Sequence, residues 1–103
     1  MEQNLIRQVV SKFGVPNQLD MVIEECAELI QAINKARRVG IVDQHTIHPP
    51  AWESSMTQIE AYNNLCAEVA DMKIMLEQIE YMLDSERINL SYDRKLKRLE
   101  KKL

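Results

Sequence analysis

The chain has 103 residues, 46% of them hydrophobic and 28% charged, with a formal net charge of −3. That length gives one domain, the composition excludes a disordered chain, and two Gly and three Pro are few for a β protein. No apolar run approaches the ~20 residues of a membrane span, and Met1-Glu2-Gln3-Asn4 has no basic segment leading into an apolar one, so neither a membrane helix nor a secretory leader is expected.

Four helices are expected in chain order. The first runs from about Gln3 to Phe13 and stops at Gly14-Val15-Pro16, since Gly past a helix end followed by Pro is a stop signal. The second runs from about Asn17, read as its N-cap, to Arg38, with Gly40 placed for a left-handed C-terminal residue. An irregular stretch from Val39 to Ser54 follows, with His48-Pro49-Pro50 in its middle. Its length is unusual for a compact domain, and such loops are often functional. The third helix runs from about Ser55 to Leu83, where Ser55 and Gln58 have capping-box spacing. Asp84 to Asn89 breaks the pattern, and a fourth helix covers about Ser91 to Leu103 with Tyr92, Leu96, Leu99 and Leu103 as its apolar stripe. No repeat and no strand alternation is visible. The fold class is therefore all-α, a four-helix bundle, and a chain this short gains stability from oligomerisation. Cys26 and Cys66 fall on apolar helix positions and read as buried thiols of a cytoplasmic protein.

A helical wheel singles out two acidic pairs. On the second helix, Leu19, Val22, Cys26, Leu29 and Ile33 form the expected core stripe. Glu25 and Glu28 lie to one side of it, in a sector shared with Met21, Ala32 and Ala36. On the third helix, Leu65, Val69, Met72, Leu76, Ile79 and Leu83 form the stripe, with Glu68 and Asp71 at the same angular offset and Met75 and Met82 beside them. One acidic pair three residues apart is ordinary; two at matched offsets can converge if the helices pack antiparallel. Four carboxylates in a partly apolar sector repel one another and lose solvation. A hard divalent cation bound through oxygen is the natural compensation, Mg2+ first, with Mn2+ as the alternative. No His occupies a matching helical position, which argues against a di-iron centre.

Glu24-Glu25-Cys26-Ala27-Glu28-Leu29 followed by Glu68-Val69-Ala70-Asp71 resembles the EExxEL and ExxD signature of the MazG-like, all-α nucleoside triphosphate pyrophosphohydrolase superfamily. The flanking Gln18-Leu19-Asp20, Ile33-Asn34-Lys35-Ala36-Arg37-Arg38, Ile74-Met75-Leu76-Glu77-Gln78 and Lys95-Leu96-Lys97-Arg98-Leu99 extend the likeness from about Gln18 to the end, the 39–54 loop excepted. The resemblance implies that Glu25, Glu28, Glu68 and Asp71 ligate the metal and that Glu24 helps to orient or deprotonate the attacking water. It implies Mg2+-dependent hydrolysis of a nucleoside triphosphate, a deoxynucleoside triphosphate among the candidates, to the monophosphate and pyrophosphate. It also implies a homodimer or homotetramer. The interval between Glu28 and Glu68 is longer than in compact members, which points to a pocket shaped by this chain's own loop.

Other residues fit the same chemistry less specifically. Lys35 lies on the Glu28 side of its helix and, with Arg38, is placed to meet a phosphate or to complement the helix C-terminus. Lys95 and Arg98 are candidates for the polyphosphate, in the same or a neighbouring subunit, or form a solvated basic face. Trp52 is a candidate for stacking on a base, or a loop anchor. His45 and His48 read as loop residues, because no further zinc ligands accompany them. Residues 1–83 carry six Lys/Arg against twelve Asp/Glu, and residues 84–103 seven against four. A body this acidic argues against nucleic acid as a partner, and no membrane partner is expected. Two competing readings remain at this level, a helical interaction module and a nucleotide sensor without turnover.

Overall fold

The computed structural model describes residues 2–103 and contains four helices: α1 (Glu2–Phe13), α2 (Val15–Arg38), α3 (Met56–Met82) and α4 (Ser85–Glu100). Among the described residues there is no strand, only an isolated antiparallel bridge between Val42 and Ile47 in the loop after α2. No described helix is long and apolar enough to cross a membrane. The all-α class and the order of helices therefore follow the sequence, while two boundaries need correction.

The first correction concerns the start of α2. Its N-cap is Gly14, not Asn17, and Pro16 sits inside the first turn, where a missing N–H costs nothing. Gly14 has φ 87° and ψ 151°, a backbone region nearly closed to residues with a Cβ. It turns the chain between α1 and α2 with no intervening loop. The second correction concerns α4, which begins at Ser85, six residues before Ser91. Asp84 caps it by accepting from the Glu86 and Arg87 backbone N–H groups, so the break predicted over Asp84–Asn89 shrinks to Leu83 and Asp84. The capping box at the start of α3 is as expected: Ser55 Oγ accepts from Gln58 N–H and the Gln58 side chain accepts from Ser55 N–H. Gly40, at φ 79°, ends the α2 segment as its position suggested.

α2 and α3 form the main interface, and their register is antiparallel. Gln18 Nε2 donates to Gln78 Oε1 at 2.7 Å near one end. Glu28 lies near Glu68 further along. Ala32, Ala36, Ala61, Leu65 and Ile41 form the buried cluster at the loop end, flanked by Leu29, Val39 and Tyr62. The inward seam of α2 is thus Gln18, Val22, Glu25, Leu29, Ala32 and Ala36. That of α3 is Ala61, Leu65, Glu68, Met72, Met75, Ile79 and Met82. Both are spaced alternately four and three residues apart, the spacing of a helix–helix seam.

These seams correct the expected core stripes. Leu19 and Ile33 on α2, and Val69, Leu76 and Leu83 on α3, are exposed. Cys66 is exposed and Cys26 only half-buried, so neither is the buried thiol expected. Both helices are rotated so that the acidic sector, not the richest aliphatic stripe, meets the partner helix. Ala32, Ala36 and Ala61 sit in that sector and allow a close backbone approach that Leu and Ile would block. α1 packs across the Gln18–Gln78 end, burying Ile6 and Val10 and placing Arg7 5.8 Å from the Tyr81 ring centre. α4 contacts only α3 among the helices and buries none of its residues.

Candidate functional site

The rotation of α2 and α3 brings the acidic pairs together. Glu25, Glu28 and Glu68 each offer a carboxylate oxygen within 4.8 Å of the others. Asp71 stands close enough that its charge raises the pKa of both Glu25 and Glu68. Burial is the largest cause of the upward shift at Glu25, followed by the charges of Glu28, Asp71 and Glu68. Burial likewise leads at Glu68, followed by Glu28 and Asp71. Glu25 Oε2 and Glu68 Oε2 are shielded from solvent and accept no hydrogen bond. No Lys or Arg forms an ion pair with any of the four among the described residues.

Orphaned carboxylate oxygens are costly, and nothing in the chain itself offsets them. The donor set is all oxygen, hard and anionic, which suits Mg2+ or Mn2+ and disfavours softer metals that favour Cys or His. Glu25 and Glu68 lie on the inward seams, while Glu28 and Asp71 lie one position to the side. The cluster therefore opens on one flank of the α2–α3 hairpin.

An open pocket on that same flank joins the carboxylates to cations. It is lined by Glu28, Gln31, Ala32, Asn34, Lys35, Arg38, Asn64 and Glu68. Lys35 and Arg38 thus share a pocket with Glu28 and Glu68, as the helix spacing suggested. The rise of an α-helix places Lys35 about 10 Å and Arg38 about 15 Å beyond Glu28 along the axis. Gln31, Asn34 and Asn64 were not singled out from the sequence. They were within reach of it, because Gln31 and Asn34 repeat the Glu28 offset every three residues and Asn64 precedes Glu68 by four.

The remaining candidates lie elsewhere. Glu24 is exposed beside the cluster, and its carboxylate is not part of the three-carboxylate group. Trp52 is 96% exposed in the loop and lines none of this pocket. Lys95 lines a separate groove with Leu83, Asp84, Arg87, Ile88, Ser91 and Tyr92. Arg98 lines another with Lys95, Leu99 and Lys102. His48 pairs with Asp43, whose other oxygen accepts from the His45 and Thr46 backbone N–H groups at 2.8 and 3.0 Å. Those two backbone bonds are the main reason the Asp43 carboxyl titrates below its ordinary range. His48 thus braces the loop through its side chain and His45 through its backbone N–H, and neither belongs to the Glu25, Glu28 and Glu68 group. No family model matches the chain, and no curated protein or solved structure is significantly similar to it.

Proposed function

We propose that the chain is a Mg2+-dependent nucleoside triphosphate pyrophosphohydrolase of the MazG-like kind, with Mn2+ able to replace Mg2+. The observation that carries this reading is the convergence of Glu25, Glu28 and Glu68, with Asp71 beside them, and the pocket in which two of these carboxylates, Glu28 and Glu68, meet Lys35 and Arg38. A ligand that fits must bring cations to one end and negative charge to the other. A metal-bound polyphosphate does both.

The metal, when bound, supplies positive charge that neutralises the triphosphate and lowers the pKa of a nearby water. Glu25, Glu28, Glu68 and Asp71 hold it, and Lys35 and Arg38 draw the phosphate chain along α2. In the hydrolysis, a water oxygen bonds to the α-phosphorus and the bond from that phosphorus to the bridging oxygen breaks. Pyrophosphate leaves, and Glu24 or Glu25 takes the proton from water. The chain's part is positioning and charge stabilisation, the main demands of phosphoryl transfer. A deoxynucleotide substrate, a cytoplasmic setting and a homodimer or homotetramer belong to the same reading. So do a base stacked on Trp52 and a phosphate contact from Lys95, both of which require a neighbouring subunit or a loop movement to reach the pocket.

The test is pyrophosphate release from a panel of NTPs and dNTPs, with Mg2+ and with chelator, on the wild type and Glu28→Gln. Release that needs Mg2+ and falls at least about 10²-fold in the variant is expected, since losing even a partner of a metal ligand costs about 10–100-fold. A helical assembly module is the second reading, favoured by the exposed apolar side of the hairpin. Absence of release from every nucleotide, with no metal-dependent change in melting, would select it.

A further inference from the structure

The carboxylate cluster has a neighbour in each direction along the hairpin, and Lys35 and Arg38 lie in one of them. Ten residues separate Gln18 from Glu28 on α2, and ten separate Gln78 from Glu68 on α3, so the antiparallel helices advance in step from the amide pair to the cluster. Met21, three residues on from Gln18, therefore stands level with Met75, three before Gln78, and with the adjoining Ile74. Met21 and Ile74 each come one residue before an inward position, Val22 and Met75, as Glu28 comes before Leu29 and Asp71 before Met72. Both thus lie on the flank that carries the pocket. Between Asn17 and Arg38 on α2, and between Glu60 and Ile74 on α3, they are the large apolar side chains of that flank. Ile74 is 48% exposed and Met21 half-buried, so both present surface there. Further along the same flank Gln78 is buried, and Arg7 of α1 lies over the Tyr81 ring, so α1 closes that end.

We propose that Met21 and Ile74 are the subsite on which the nucleobase of the substrate lies. This placement rests on the hydrolytic reading of the carboxylates and adds a direction to it. Met21 comes seven residues before Glu28 and Lys35 seven after, each about 10 Å from it along the helix axis. The flank therefore runs from an apolar pair through carboxylates to cations. A nucleoside triphosphate cut at its α-phosphorus has the same order: an uncharged planar base, the reacting phosphorus, then the pyrophosphate that leaves. One oxygen of the α-phosphorus carries the nucleoside and another carries the pyrophosphate. With the β- and γ-phosphates drawn to Lys35 and Arg38, the nucleoside extends the opposite way, over Met21 and Ile74.

The chemistry of the pair suits that occupant. A base offers a flat polarisable face without charge. The Met21 thioether adapts to such a face and makes favourable sulfur–aromatic contacts, and branched Ile74 presents a stiff one. Covering both removes apolar surface from water. An anion is turned away from the same place, because Glu24 and Asp71 stand three residues from Met21 and Ile74 and share their helix faces. Continuity with the carboxylates, one helical turn away on both helices, favours a part of the substrate over a partner chain. The face of the base turned from the hairpin is the one left to Trp52.

The test uses the full chain with Mg2+ and two probes, α,β-methylene nucleoside triphosphates of each base and inorganic tripolyphosphate, which has no nucleoside. Methyl NMR follows the Met21 ε-methyl and the Ile74 δ-methyl, and titration calorimetry gives the affinities. Both methyls are expected to move upfield under the ring current of a methylene analogue and to stay in place with tripolyphosphate. Met21→Ser and Ile74→Ser are expected to bind the analogue about tenfold more weakly and tripolyphosphate as before, with Ile74→Leu restoring the analogue. Lys35→Ala is expected to weaken both probes. An analogue that binds without moving either methyl, or a methyl shift of equal size with tripolyphosphate, overturns the subsite. So does equal analogue affinity in the Ser variants. In each of these cases the hydrolytic reading stands, since Mg2+-dependent pyrophosphate release judges it separately. A wild type that binds neither probe overturns both. If the Ser variants lose helicity by circular dichroism, the wild-type methyl shifts decide.

Discussion

The two sides of the α2–α3 hairpin differ by two residues of register and by almost everything else. One side carries Glu28, Asp71, Gln31, Asn34, Lys35, Arg38 and Asn64, polar residues gathered at the carboxylate pocket. The other carries Leu19, Ile23, Ile30, Ile33, Val69, Leu76 and Leu83. Between them run the inward seams, with Glu25 and Glu68 exceptionally placed among Ala, Leu and Met. A helix with one apolar face has one place to hide it. These helices are apolar over two adjacent seams and polar on the third side, so each needs two neighbours and leaves one flank free for chemistry. Placing carboxylates on the seam nearest the free flank lets the hairpin shield them without closing the pocket.

The comparison breaks most sharply at Glu68. Glu68→Gln removes a carboxylate from the cluster and should cut Mg2+-dependent pyrophosphate release by at least about 10²-fold, while the mass in solution stays unchanged. A variant that dissociated, or that kept full turnover, would show that the two sides are not separable in this way.

A smaller effect tests the seam itself. Gln18 and Gln78 are both almost wholly buried and pair with each other. Gln18→Leu leaves the Gln78 amide without that partner, which should cost about 1–3 kcal/mol. The double variant Gln18→Leu/Gln78→Leu should recover most of the loss, because no unsatisfied amide remains. Thermal melts of the two single variants and the double variant read this directly. A double variant as unstable as the sum of the singles would mean that the amide pair is not the unit at work.

The smallest effect concerns the charges of the cluster. Glu25 and Glu68 bind protons more readily in the folded chain than in the unfolded one. Their contribution to stability therefore falls as pH rises upward from the ordinary 4.5 through the raised folded values, and the penalty is full above them. Without metal at neutral pH, Glu25→Gln should raise the melting temperature by about 2–4 °C, equivalent to relief of about 0.5 kcal/mol of like-charge repulsion. With Mg2+ the order should reverse, since only the wild type gains a full ligand set. Asp43 acts with the opposite sign. Its folded value is lowered, so it stabilises above its ordinary 3.8 and that contribution is lost only as pH falls through the folded value. A metal-free Glu25→Gln variant that melts lower at neutral pH would remove repulsion as the account of the cluster.

Much of this was written in the sequence by local chemistry. Gly14, Gly40, the Ser55–Gln58 box and the long apolar periods determine an all-α chain and most of its boundaries, because caps, glycines and helical spacing act over a few residues. The matched acidic pairs were legible for the same reason, as was the place of Lys35 and Arg38 beside them. The position of α4 was less so: Asp84 was read as part of a break, although its side chain is what starts the helix.

What the sequence alone did not determine is which apolar seam faces which neighbour. Two seams one residue apart have nearly equal claims on a wheel, and the pattern alone favours the one richer in Leu and Ile as the core. The tertiary structure decides otherwise, because the distance between α2 and α3 is set by the smallest residues on the contact, and these are Ala32, Ala36 and Ala61. That choice turns the acidic sector inward and the aliphatic strip outward. It explains why Cys66 is exposed and why Glu25 and Glu68 are shielded. Packing between helices is a property of the pair, and only the folded pair could settle it.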